Sequence, residues 1–286
     1  MITNIIISVV LITTIIATIT DLKKHEVPDF VSYFLIIFGI GTNIIISLLS
    51  NSIYPILFSV IGAVALYAFG AALYYTGMWG GGDAKLITGY GANFATFPAL
   101  IAWPFLLTMI FNILFFGAVI GILWGVYLAI KHKKKFAEEI RKLLHKYKKI
   151  VVLLYVTLIL IIVLFAFIRN IFIPFIWGAG VILFYLLLSL KAIEESCMYR
   201  LIKPKNLTEG DWISEDVKIK DKVVYKPERT GISLSEIIKL QELEKQNKLN
   251  NVVVKEGLPY VPAFLVALIA TLLNIDILFY IFNALL

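Results

Sequence analysis

Long uninterrupted runs of apolar residues constrain this chain more than any other feature of its sequence. A helix needs about 20 apolar residues to cross the roughly 30 Å of hydrocarbon in a bilayer. Runs of this kind cover residues 3–20, 31–49, 53–76, 150–168, 172–190 and 260–285. With 60% hydrophobic and only 16% charged residues, the composition also excludes an ordinary soluble globular domain. The sequence therefore predicts a membrane protein that crosses the bilayer several times.

The apolar stretch from 84 to 130 is too long for a single crossing at about 1.5 Å per helical residue, and Pro98 and Pro104 interrupt it. We predict two helices there. The predicted fold class is an all-α polytopic membrane protein with six to eight transmembrane helices. The first span lacks the basic n-region of a signal peptide, so we expect it to be retained.

A basic segment sets the predicted orientation. Residues 131–149 hold nine Lys or Arg against two Glu, and this surplus equals the net charge of +7 of the whole chain. Short loops rich in Lys and Arg face the cytoplasm, so we predict a basic cytoplasmic loop at 131–149 in the cell membrane. Counting crossings places residues 21–29, 77–83 and 191–258 on the same side. The basic side chains suit contact with anionic lipid headgroups, whereas the lack of interleaved aromatic residues argues against nucleic acid.

The segment 191–258 has the balanced composition of a folded module. Residues 217–225, VKIKDKVVY, alternate partly at the period of a strand, and NVVVKEG at 251–257 predicts another strand. Ser233 and Glu236 form a capping box that predicts a helix. We therefore expect a small cytoplasmic α/β insertion before the last transmembrane helix, serving as a scaffold or a substrate contact.

An acid at the membrane boundary is the main candidate for function. Asp83 follows three glycines in GMWGGGDAKL, residues 77–86, and the glycines would let a ligand or another backbone approach closely. A simple N-cap is the alternative. The predicted topology brings Asp21, Glu26 and Asp29 to the same face, where Asp21 ends the first apolar run. Asp29 precedes the second run, where an N-cap is the simpler explanation, and Glu26 lies in the middle of the loop.

Two facing carboxylates predict an aspartic-protease dyad, in which one proton is shared because both groups cannot ionise together. Asp276 is sixteen residues into the last apolar run, about 24 Å along a helix, so it is not expected to meet Asp83. A metal site is not expected, because the three histidines are scattered among lysines and Cys197 is the single cysteine. The same chemistry needs no cofactor.

The motifs resemble one family. Gly80, Gly82 and Asp83 resemble the GxGD signature of membrane aspartyl proteases, and GGGDAKL looks like that of prepilin peptidases. DLKKHEVPD at 21–29 resembles the second active-site segment of that family and selects Asp21 as the partner. VVVKEGLPYVPAF at 252–264 is similar to the stretch that leads into the last span in archaeal members. The chain thus resembles the archaeal prepilin and preflagellin peptidases.

The resemblance implies an aspartic-type endopeptidase that cleaves the short leader of type IV pilin-like or archaellin precursors at the cytoplasmic face. It makes Asp21 and Asp83 the catalytic pair. Lys85 could tune the pair, fix the helix end or reach the membrane surface as a snorkelling lysine. Pro259 and Pro262 would lie near the active site or simply begin a helix. The positions that the resemblance assigns to active-site support are Gly80, Gly82, Lys85, Pro259 and Pro262.

The predicted organisation has five parts: a catalytic transmembrane unit at 1–130, the basic loop at 131–149, two additional helices at 150–190, the insertion at 191–258, and a C-terminal helix at 259–286. The chain departs from bifunctional bacterial members, which have paired CxxC motifs, so we expect no N-methyltransferase activity. Pilin precursors are preferred over archaellins as substrates. A proton- or cation-coupled transporter and a non-catalytic assembly scaffold remain the alternatives.

Overall fold

The computed structural model describes residues 2–98, 103–168, 172–219, 222–228, 231–255 and 257–285. The chain forms two compact units, one made of residues 1–122 and 202–286 and the other of residues 123–201. Part of the predicted break between two helices, at residues 99–102, lies outside the described residues, as do both terminal residues.

The first unit begins with three long apolar helices, α1 (Ile2–Lys24), α2 (Asp29–Ser50) and α3 (Tyr54–Tyr75). They confirm the first three predicted spans. Asn51 ends α2 with a backbone φ of 48°, in the left-handed region that asparagine tolerates better than most residues. A proline in the first turn of α3 then starts the next helix, where its missing N–H is not needed.

Two helices occupy the stretch from 84 to 130, as predicted: α4 (Gly81–Phe94) and α5 (Phe105–Lys131). With 14 residues, α4 is about 21 Å long and too short to cross a bilayer by itself. It is almost entirely buried against α2 and α3. A Cβ at Gly91 would lie 2.2 Å from the carbonyl oxygen of Gly62, so the backbones of α3 and α4 touch there. Hydrogen bonds from Ser59 to the carbonyl of Ala92 at 2.7 Å reinforce this contact.

The second unit contains the C-terminal part of α5 with α6 (Lys133–Lys146), α7 (Lys148–Ile168) and α8 (Phe172–Cys197). The two apolar spans predicted at 150–168 and 172–190 are confirmed. The structure differs from the prediction at 131–149, where α6 replaces the expected loop because apolar residues recur on one helix face and Leu143 packs against Leu188 and Ala192. Since α8 continues to Cys197, residues 191–197 belong to a helix and not to the insertion.

The insertion has mixed α/β structure, as predicted. Its elements are β1 (Tyr199–Ile202), a 3-10 turn (Pro204–Asn206), β2 (Trp212–Ile213), β3 (Val217–Ile219), β4 (Lys222–Tyr225), α9 (Leu234–Lys245) and β5 (Val252–Lys255). The strands β3 and β4 form an antiparallel hairpin, and β2 pairs antiparallel with β5, with Ile213 opposite Val254. The predicted capping box begins α9, where the backbone N–H of Ser233 donates to the Glu236 carboxylate at 3.0 Å.

The last apolar run differs from the single helix predicted over 260–285. It forms α10 (Val261–Leu272) and α11 (Ile277–Leu285), which are bent by 74° relative to each other. Asn274 turns the chain with a φ of 60°, and the Asp276 carboxylate accepts the N–H of Phe279 at 3.0 Å to start α11. Six described helices, namely α1, α2, α3, α5, α7 and α8, are long and apolar enough to cross a membrane, and α10 with α11 forms a broken seventh candidate. The predicted all-α polytopic fold class is confirmed.

Candidate active site

Asp21 lies on the buried face of α1. The buried residues of this helix recur every three or four positions, so they form one stripe, and Asp21 is its last member: Ile6, Val10, Thr13, Thr14, Ala17, Thr18 and Asp21. Only 6% of Asp21 is exposed, which is unusual for a carboxylate. Its Oδ2 accepts the backbone N–H of Val261 at 2.9 Å. Val261 is the first residue of α10, where backbone N–H groups have no partner within the helix.

Asp83 is the third residue of α4 and lies outside the candidate spans. Its Oδ2 accepts the N–H of Gly80 at 2.9 Å, which is the capping role considered as the alternative to function. Asp83 also lies within electrostatic range of Asp21. Burial, followed by the negative charge of Asp21, raises the pKa of Asp83 to about 7, although the Gly80 N–H opposes this shift. The carboxyl group therefore caps a helix and also interacts electrostatically with a second carboxyl group.

The glycines before Asp83 have different roles in the structure. A Cβ at Gly82 would lie 2.8 Å from the Cβ of Val27, so only glycine lets the α1–α2 connection approach the start of α4 this closely. A Cβ at Gly80 would meet nothing closer than Asp83 Oδ2 at 3.4 Å, an ordinary contact. Gly80 contributes its backbone N–H, which most residue types could supply.

Part of the chain matches the model of a known protein family. Residues 8–126 match the profile of the type IV leader peptidase family. We refer to residues 8–126 as the leader peptidase segment, after the family whose profile they match. It includes Asp21, Gly80, Gly82, Asp83 and Lys85, whereas α10 and the insertion lie beyond it.

Two characterised relatives of this leader peptidase segment are each named preflagellin peptidase. The protein from Methanocaldococcus jannaschii is 30% identical over 136 residues, which cover 42% of this chain and 58% of that protein. The protein from Methanococcus voltae is 25% identical over 147 residues, covering 46% of this chain and 63% of that protein. The chain thus matches less than two thirds of the length of either relative. No solved structure matches the chain.

Lys85 of the leader peptidase segment pairs with Asp29 and not with the two central aspartates. Its Nζ lies 2.6 Å from Asp29 Oδ1, and it also lies over the ring of Tyr33 at 5.6 Å from the centroid. The Asp29 side chain is 60% exposed, so the ion pair contributes about 0 to 1 kcal/mol. The predicted N-cap role of Asp29 is not found, because Pro28 occupies the N-cap position of α2, no side chain caps the helix, and Asp29 is its first helical residue.

Pro259 and Pro262 flank the start of α10. Pro262 is in the first helical turn, where its missing N–H costs no hydrogen bond. The two prolines therefore frame the residue whose N–H reaches Asp21. That backbone donor, Val261, could not be found by residue type, since any residue except proline carries the same group.

Trp79 and Tyr260 are neighbours of the pair that sequence reasoning did not single out. Trp79 is 3% exposed, and its ring centroid lies 5.6 Å from that of Tyr260 and 5.3 Å from that of Phe264. Their adjacency to the GGGD motif and to the two prolines was visible in the sequence. An aromatic residue in an apolar chain has too many other roles for that position alone to indicate function.

The described residues contain no group of three His, Cys, Asp or Glu side chains that could hold a metal ion. Asp276 is fully buried at the other end of α10, where Thr108 Oγ1 donates to it at 3.3 Å. Because α10 has 12 residues, about 18 Å of helix separates this acid from the end that contacts Asp21. Two carboxyl groups within electrostatic range of each other, as Asp21 and Asp83 are, do not readily ionise together, so such a pair can hold one proton.

Proposed function

We propose that this protein is a membrane aspartic endopeptidase that removes the short N-terminal leader of type IV pilin-like or archaellin precursors. The observation that carries the proposal is that Asp21 and Asp83, from two separate elements of the leader peptidase segment, lie within electrostatic range of each other and that both carboxylates accept backbone N–H groups. Both relatives are named preflagellin peptidases, so preflagellin-type precursors are the first substrates to test, ahead of the pilin precursors that the sequence favoured.

In the proposed reaction, the ionised carboxylate of the pair takes a proton from water while the water oxygen attacks the scissile carbonyl carbon. The protonated carboxyl group donates a hydrogen bond to the carbonyl oxygen and stabilises its developing negative charge. The C–N bond then breaks, and the leaving nitrogen takes a proton from the pair. The products are a leader with a new carboxyl end and a precursor with a new amino end. A pKa of about 7 for Asp83 supports a singly protonated pair near neutral pH.

We propose that the active site faces the cytoplasm, because Lys23 and Lys24 end α1 close to Asp21, and Lys and Arg at the end of a span favour the cytoplasmic side. The chain has a single cysteine, so we propose peptidase activity without N-methylation.

The test is a gel-shift cleavage assay in membranes that carry the full-length chain, with preflagellin and pilin precursors as substrates. Wild type and Asp29→Asn should shorten a precursor, whereas Asp21→Asn and Asp83→Asn should not. Asn keeps the volume and the hydrogen bonding of Asp but cannot exchange the proton. Asp29 is the matched control, since its exposed carboxylate pairs with Lys85 and not with Asp21 or Asp83. Cleavage by either dyad variant at the wild-type rate would overturn the proposal, and absence of cleavage by wild type would favour a transporter or a scaffold.

We also propose that α6 contacts anionic lipid headgroups. Its apolar face packs on α8 through Leu143, and its basic side chains are exposed: Lys133, Lys134, Lys135, Arg141, Lys142 and Lys146. Each such charge contributes about 1 kcal/mol of attraction to an anionic surface. Replacing Lys133, Lys134 and Lys135 by Gln should therefore weaken the preference of the reconstituted protein for phosphatidylglycerol over phosphatidylcholine, measured by lipid co-purification. An unchanged lipid ratio would contradict this contact.

A further inference from the structure

The dipeptide Tyr260–Val261 connects the surroundings of the two aspartates. The backbone N–H of Val261 donates to the Asp21 carboxylate at 2.9 Å. The ring of the preceding residue, Tyr260, lies against the indole of Trp79 with centroids 5.6 Å apart and planes at 48°. The indole N–H of Trp79 also interacts with the phenol oxygen of Tyr260. The backbone of this dipeptide therefore binds the α1 carboxylate, while its aromatic ring contacts the segment before α4.

Trp79 has the equivalent relation to the second aspartate. It directly precedes Gly80, whose backbone N–H donates to Asp83 Oδ2 at 2.9 Å. Each aromatic residue is thus adjacent in sequence to the residue whose N–H binds one carboxylate. Because the two rings are in contact, a shift of the Val261 N–H would also shift the Gly80 N–H, and the reverse.

The aromatic pair is held firmly. Phe69 packs edge-on against Trp79 at 5.8 Å, and Phe264 packs against it from α10 at 5.3 Å. On the side of α5, a Cβ at Gly117 would lie 2.0 Å from the phenol oxygen of Tyr260. Neither ring can move without displacing a packed neighbour, because buried side chains fill their space closely.

From these contacts we infer that Trp79 and Tyr260 are positioning residues that fix the separation of the Asp21 and Asp83 carboxyl groups. The separation matters because the repulsion between two ionised groups falls with distance, and this repulsion keeps one proton on the pair. Loosening the aromatic contact weakens the coupling and brings the two apparent pKa values of the pair closer together. The inference rests on the proposed peptidase function for its consequence in catalysis, but the coupling itself can be measured without it.

The first test is the pH dependence of precursor cleavage by wild type, Tyr260→Phe, Trp79→Phe, Gly117→Ala and the control Tyr90→Phe. The control removes a buried hydroxyl that bonds to Thr14 at 2.8 Å and leaves its ring in place. The first three variants should lower kcat by about tenfold to a hundredfold, with KM within about twofold, since small misplacements of reacting groups have effects of this size. They should also narrow the pH range of activity, which Tyr90→Phe should not.

Gly117→Ala acts on the pair only through Tyr260, so it provides an internal check. In a Tyr260→Ala background, adding Gly117→Ala should change neither kcat nor the pH range further, because the overlap with the phenol ring no longer exists. An undiminished effect in that background would show that Gly117 acts by another route and would count against the inference.

The second test needs no peptidase activity. Dicyclohexylcarbodiimide reacts with protonated buried carboxyl groups, and peptide mass spectrometry of the full-length protein measures its addition to Asp21 and Asp83 at each pH. In wild type the two labelling midpoints should be well separated, and in Tyr260→Phe and Trp79→Phe they should be closer. Equal midpoint separations in wild type and variants would overturn the inference, even if wild type cleaved no precursor. If the variants lowered kcat but left the pH range of cleavage unchanged, Trp79 and Tyr260 would contribute only to packing, and the inference would be wrong.

Discussion

Asp83 and Asp276 are both acids at the beginning of a helix, yet they stand in different surroundings. Asp276 accepts the N–H of Phe279 at 3.0 Å and starts α11, whereas Asp83 accepts the N–H of Gly80 at 2.9 Å at the start of α4. The partners of Asp276 are neutral groups, including the hydroxyl of Thr108. Asp83 has a second carboxylate, Asp21, within electrostatic range. Capping is thus common to both acids, and the charged neighbour distinguishes the candidate catalytic site.

The largest expected effect separates these two acids directly. Asp83→Asn should reduce precursor cleavage by about a thousandfold or more, as expected for loss of general acid–base catalysis. Asp276→Asn should keep activity within about threefold, because asparagine caps helices as well as aspartate does. Steady-state cleavage rates measure this difference in activity. Thermal unfolding checks that both variants are folded. Similar losses of cleavage in Asp83→Asn and Asp276→Asn would show that the Asp83 site is no more important for activity than the Asp276 site.

A smaller effect should distinguish the two glycines of the GxGD motif. Gly82→Ala places a methyl group 2.8 Å from the Cβ of Val27, so the α1–α2 connection must shift and turnover should fall about tenfold. This overpacking should also destabilise the protein by about 1 to 3 kcal/mol.

Gly80→Ala is the matched control, since it keeps the backbone N–H and its Cβ would make only an ordinary contact at 3.4 Å. Its cleavage rate should stay within about threefold of wild type. A stronger loss from Gly80→Ala than from Gly82→Ala would contradict the roles that the structure assigns to these positions.

The smallest expected effect is on the pH dependence of stability. The pKa of Asp83 is raised from 3.8 to about 7, so the folded protein holds this proton more tightly than the unfolded chain does. The protein should therefore lose stability as the pH rises from about 4 to 7. Asp83→Asn removes this loss, so its melting temperature relative to wild type should be higher at pH 8 than at pH 4. The same difference at both pH values would show that the environment of Asp83 does not favour its protonated form.

The sequence predicted those parts of the fold that depend on length, composition and local pattern. Apolar runs located α1, α2, α3, α7 and α8 because a bilayer requires about 20 apolar residues per crossing. The broken last span was missed, because Asn274 and Asp276 interrupt a run whose composition remains apolar on both sides. The helix α6 was missed because residues 131–149 were interpreted from their charge alone, although their apolar residues recur on one helix face.

In the candidate site, too, some residues could be predicted from the sequence and others depended on packing. Carboxylates beside apolar spans are costly and therefore informative, and the family resemblance of residues 21–29 selected Asp21 as the partner of Asp83. The Val261 N–H and the contact between Trp79 and Tyr260 depend on how α10 packs beside α1 and beside the segment before α4. Such packing cannot be predicted from residue types. The sequence offered three roles for Lys85, and its pairing with Asp29 could be found only from the positions of α2 and α4.

The central claim, that Asp21 and Asp83 act as one catalytic unit, is tested most directly by a double-mutant cycle. Rates of precursor cleavage should be measured for Asp21→Asn, Asp83→Asn and the double variant under identical conditions. If the two carboxyl groups share one proton, either substitution removes the unit, and the double variant should be no slower than the slower single variant. Losses that multiply, or an Asp21→Asn variant close to wild type, would show that the two aspartates do not work as a pair.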